Sequence, residues 1–238
     1  MAESAMQYAV PVREHSVDVR TRFLRQVYGH LGGAVAAFVL IEMFLFTSGL
    51  AHAIAAFVFG TSWLLILGGF VLVSWLSSSV AHRATSRPAQ YAAYAALIVA
   101  ESLLFAPLLV IASQTAQSAG AGTNVIAQAG MLTVLGFAGL TLIAMTSGRD
   151  FSVLGSFLKW GGIVALVAIV AAVLFGFELG TWFSVAMIAY AGGAILFETS
   201  RVLHSDPPAR AIAASMQLFA SLALLFWYVL RLLSALNR

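Results

Sequence analysis

Apolar residues in this chain gather into runs long enough to cross about 30 Å of hydrocarbon, roughly 20 residues each. They lie at about 24 to 46, 53 to 79, 89 to 113, 124 to 146, 152 to 175, 181 to 203 and 209 to 235. Backbone groups in lipid must satisfy one another, and runs of this length do so as helices. The expectation is an all-α polytopic membrane protein, a bundle of seven transmembrane helices. Composition agrees, with 61% hydrophobic and 9% charged residues and a mean hydropathy of +0.97 over 238 residues. The breaks TSGLAH, AHRATSRP, SQTAQSAGAG, TSGRD, FGFELG and HSDPP are short, so consecutive helices should be antiparallel neighbours. Cysteine is absent, which excludes disulfides and thiolate metal sites.

The first twenty residues, MAESAMQYAVPVREHSVDVR, are polar and carry both charge signs, and the apolar run after Arg25 is too long for a cleaved signal. Residues 1–20 therefore read as a flexible cytosolic tail and residues 21–238 as one transmembrane domain. Lys and Arg are retained on the cytoplasmic side of short loops. With the N-terminus inside, that side holds ten of them (Arg13, Arg20, Arg22, Arg25, Arg83, Arg87, Arg149, Lys159, Arg201 and Arg210) against Arg231 and Arg238 on the other. The C-terminus is then expected on the outer face.

No phosphate-binding glycine loop, HExxH or GxSxG is present, and the five histidines have no ligand spacing, so no enzyme activity, metal or cofactor is expected. Nothing points to nucleic acid; the partner expected first is membrane lipid. The pairs Gly32-Gly33, Gly68-Gly69, Gly161-Gly162 and Gly192-Gly193 read as points of close helix packing. Chemistry is left to the charges inside the spans: Glu42, Glu101 and Glu198 against Lys159. Each disfavours insertion by about 2.5 to 3.5 kcal/mol at mid-helix, so such residues face protein or water, pair, or snorkel. Glu42 lies near a helix end and can snorkel. Glu101 lies near mid-bilayer and should face the interior. Glu198 has two partners open to it: Arg201, three residues on along the same face, or Lys159 from the neighbouring span at similar depth. A carboxylate in low dielectric also suits proton or ion sensing.

The segment GGAILFETS, the last helix SMQLFASLALLFWYVLRLLSAL and the loop TSGRDFSVLGSFL resemble the Bax inhibitor-1-like family of seven-helix membrane proteins, in particular its bacterial branch of FtsH-protease modulators. The resemblance spans essentially the whole chain. It implies six helices around a central seventh, in the bacterial inner membrane. Some relatives are pH-sensitive calcium leak pathways that use one carboxylate on helix six and one on helix seven as a proton-sharing latch, assisted by an Arg on helix two. Here Glu198 holds the helix-six position, Ser221 stands at the helix-seven position, and the helix-two Arg is replaced near Ser77. There is no Asp or Glu between Ala209 and Arg238. Without that second carboxylate, the resemblance favours an inner-membrane protein that binds and modulates an FtsH-type protease through its cytosolic tail. The alternative is a calcium or cation leak in which Glu198, Glu101, Ser221 and Lys159 take part.

Overall fold

The computed structural model describes residues 11–84, 86–118 and 124–237. A 3-10 turn at Val12–Glu14 leads into α1 (Val17–Thr47), whose 31 residues extend about 46 Å, more than the hydrocarbon requires. Its first turns carry Asp18, Arg20, Arg22 and Arg25 beyond the apolar stretch. The segment expected as a tail is thus folded where it is described: Val12 is 1% exposed, and α1 has begun by Val17. Residues 1–10 lie outside the described residues.

The apolar run at 53 to 79 is divided. Gly49, with φ +79°, turns the chain out of α1 into the short α2 (Leu50–Phe59); Gly60, Thr61 and Ser62 then break the run before α3 (Trp63–Arg83). At about 15 Å, α2 cannot cross a bilayer. Ala51 and Ala55 instead bury it against Leu45 of α1 and Ala106 and Val110 of α4 (Arg87–Ser118). The number of long apolar helices is still seven, completed by α5 (Val125–Thr146), α6 (Leu154–Phe175), α7 (Gly180–His204) and α8 (Ala211–Leu236).

The last helix packs against α7, α1, α5, α4 and α3. Burial identifies the inner elements: the apolar windows of α4 and α8 are 56% and 50% buried, while the other spans lie between 11% and 28%. The outward faces of α3, α5 and α6 carry exposed Trp75, Leu142 and Trp160, as lipid-facing helices should. The glycine pairs divide in two. A Cβ at Gly162 would come within 2.8 Å of Tyr190 Oη and one at Gly192 within 3.3 Å of Leu140, so these positions allow close approach. Gly32, Gly33, Gly68 and Gly69 have nothing within 4 Å, and the packing expected there is not found.

Candidate functional site

All the inter-helix turns that carry arginine gather at one end of the bundle, and there α7 brings two polar clusters together. Residues 198, 201 and 204 lie one turn apart on its last two turns, so Glu198, Arg201 and His204 recur on neighbouring faces. Arg201 is the hub. Its Nη1 donates to Glu198 Oε2 at 3.1 Å and to Gln217 Oε1 of α8 at 3.0 Å, and its Nη2 donates to Asp206 Oδ1 at 2.9 Å. The guanidinium fork suits three planar acceptors in a way that a lysine ammonium would not. Its carbon also lies 5.7 Å from the centroid of the Phe197 ring.

The network continues into α3. Gln217 Nε2 donates to His82 Nε2 at 3.3 Å, while His82 Nδ1 lies 2.7 Å from the Ser78 carbonyl. A carbonyl only accepts, so Nδ1 carries the proton and Nε2 is free to accept from Gln217. Four elements meet here, because Asp206 also receives the N-terminal segment: Val12 N–H donates to the Asp206 carbonyl at 3.2 Å. Asp206 is 4% exposed, and its second carboxylate oxygen has no hydrogen-bond partner among the described residues.

The second cluster ties the turn before α6 to α7. Ser200 Oγ donates to Asp150 Oδ1 at 3.2 Å and accepts from the Phe151 N–H at 3.0 Å, while Asp150 also accepts from the Ser152 N–H at 2.9 Å. Asp150 thereby caps the 3-10 turn Phe151–Val153. The Ser152 amide in particular, with the Ser200 hydroxyl, holds the Asp150 carboxyl below the ordinary carboxylate range.

Of the residues singled out in the sequence, Glu198 is in this cluster, and its partner is Arg201. Lys159 is exposed and forms no ion pair among the described residues, so the pairing across to α6 is not made. Ser221 is buried on α8, and Ser77 is buried on α3. Glu101 lies apart, 6% exposed in the wall of a half-open crevice, and Glu42 is buried with neither carboxylate oxygen hydrogen-bonded to a described residue. Asp206, Gln217 and His82 were not anticipated. The spacing from Arg201 to Asp206 crosses a helix end, and Gln217 and His82 meet only through tertiary packing, so no helical periodicity marks them.

The comparisons with known proteins agree with this architecture. The "Golgi anti-apoptotic protein" of Vaccinia virus (strain Lister) is 26% identical over 247 residues, covering 99% of this chain and 94% of the viral protein. "Bax inhibitor 1" of Schizosaccharomyces pombe is 28% identical over 237 residues, 95% of this chain and 81% of the yeast protein. The "Modulator of FtsH protease YccA" of Escherichia coli is 35% identical over 122 residues, 51% of this chain and 55% of its own length. Residues 20–238 match the family described as "Inhibitor of apoptosis-promoting Bax1". The seven-span bundle therefore belongs to that family, the Bax inhibitor-1-like membrane proteins.

Proposed function

We propose that the protein modulates a membrane-bound protease of the FtsH type in the bacterial inner membrane, with its N-terminus and arginine-rich end in the cytoplasm. The observation that carries this reading is the way the N-terminal segment is moored. Val12 is buried, its N–H is held by the Asp206 carbonyl, and the Asp206 carboxylate is held in turn by Arg201. A protease that grips the chain ahead of Val12 has to pull against this anchor before it reaches α1. Burial of one Val side chain contributes about 1.5 kcal/mol, and the charge-assisted bonds of Arg201 add to it. The enzyme engages but extracts slowly, and an occupied protease is a restrained one. The likeness to the Escherichia coli modulator supports the same partner. Crosslinking in native membranes, followed by purification of the protein, should recover an FtsH-type protease; recovery of none at native expression contradicts the proposal.

A calcium or cation leak is the second reading. It is favoured by one observation, that two carboxylates, Glu198 and Asp206, flank a single arginine at one end of the bundle. In liposomes loaded with a calcium dye, Arg201→Gln should then raise flux above wild type. Equal and negligible flux for both proteins would leave the modulator reading alone.

A further inference from the structure

From Gln217 of the Arg201 network toward the opposite end of the bundle, α3, α4, α6, α7 and α8 line a half-open crevice of about 950 Å³. That volume is near the upper end of ligand pockets, at about 300–1,000 Å³. Along α3 its wall is one helical stripe, Trp63, Leu67, Phe70, Ser74 and Ser78, and α8 forms the back with Trp227 and Tyr228. The crevice follows α8 from Met216 to Ala235, about 28 Å of helix.

Three polar groups along this wall have no partner among the described residues. Glu101 is 6% exposed, and no hydrogen bond or ion pair joins its carboxyl to another described residue. The hydroxyls of Ser74 and Ser234 are buried and unbonded. An unpaired buried polar group costs about 1–3 kcal/mol, more when charged, so the wall is incomplete without a donor from outside the chain. An alkyl chain alone fills the apolar surface and leaves Glu101 unserved. An anionic amphiphile brings no donor to it and adds a second acidic group beside it. An ammonium group brings three donors and a charge opposite to that of the carboxylate, and the neighbouring aromatic faces attract a cation further. Arg231, the one cation among the lining residues, disfavours an ammonium at its own end of the crevice and leaves Glu101 as the buried acidic position, one that an amine can pair with by taking its proton. Glu178 also lines the crevice but is exposed, where its charge is solvated.

We propose that this crevice is a binding site for a lipophilic amine, with the ammonium group on Glu101 and the hydrocarbon body along the aromatic wall of α3 and α8. Glu101 itself makes no hydrogen bond or ion pair with the Arg201 cluster, and the proposal stands or falls independently of protease modulation.

The test uses the full chain in a non-ionic detergent, titrated with dodecylamine and with dodecanol, which share a tail and differ in charge. Two of the five tryptophans, Trp63 and Trp227, line the crevice and report binding by fluorescence. Dodecylamine should bind the wild type at least tenfold more tightly than dodecanol, Glu101→Gln should bind the two equally, and Glu178→Gln should retain the wild-type preference. Ala220→Phe, which fills the back wall, should weaken both ligands. Should Glu101→Gln fail to fold, the wild-type preference and the weaker binding of both ligands by Ala220→Phe decide the question. Equal binding of amine and alcohol by the wild type, a preference that survives Glu101→Gln, or binding of both ligands unchanged by Ala220→Phe overturns the proposal.

Discussion

Arg201 satisfies Glu198, Gln217 and Asp206 at once, and its side chain is only 24% exposed. Removing it strands two carboxylates, so Arg201→Met should destabilise the protein by about 2–3 kcal/mol in thermal unfolding in detergent. Arg201→Lys should recover only part of this, since an ammonium cannot reproduce the fork. Lys159→Met should change stability by less than about 0.5 kcal/mol and should be additive with Glu198→Gln, because the two residues do not meet. Half of this arrangement was legible in the sequence: the spacing of three residues makes Glu198 and Arg201 neighbours in any helix. The similar depth of Lys159 was equally visible, but depth does not give rotation about the helix axis, and Lys159 faces outward. Asp150 provides a pH test. Its folded pKa is depressed, so its contribution is present above the unfolded carboxyl value, about 3.9, and is lost as pH falls through the lower folded value. The midpoint difference between wild type and Asp150→Asn should therefore be constant near neutrality and close below about pH 4.

At the scale of helices, hydropathy located every span and missed the break within one run. Gly60, Thr61 and Ser62 are too few to lower a window flanked by Phe57, Val58, Phe59 and Leu64, Leu65, Ile66. The run of glycine, threonine and serine, residues of poor helix propensity, was the available signal. The glycine pairs show a related limit, since helix-packing glycines and lipid-facing ones look alike in sequence. The structure separates them by what a methyl group would touch. Gly162→Ala should cost about 1–2 kcal/mol, because its Cβ displaces the Tyr190 hydroxyl that donates to the Leu158 carbonyl at 3.0 Å. Gly68→Ala, with nothing within 4 Å, should stabilise α3 by about 0.5–1 kcal/mol, as alanine does over glycine in a helix. Paired thermal melts of the two variants decide this, and equal effects would contradict the assignment of their faces.

Across the whole molecule, the seven-span bundle was legible because lipid imposes length and apolarity on every crossing. The docking of the N-terminal segment was not, because Val12 in a polar stretch gives no periodic signal and its acceptor lies far along the chain at Asp206. Under the proposed function, this mooring makes the protein a slow substrate. Val12→Asp should leave the bundle folded, since no span is altered, yet shorten the protein's half-life in cells that contain the protease and not in cells that lack it. Reporter fusions after Arg87, Arg149 and Arg210 should report the cytoplasm, with the C-terminus on the opposite face. The central claim, modulation, is tested most directly in proteoliposomes that hold a purified FtsH-type protease and one of its membrane substrates, with and without this protein. The substrate's degradation rate should fall several-fold when wild type is present, and Val12→Asp should relieve much of that inhibition; a degradation rate unchanged by wild type at stoichiometric excess would contradict the account.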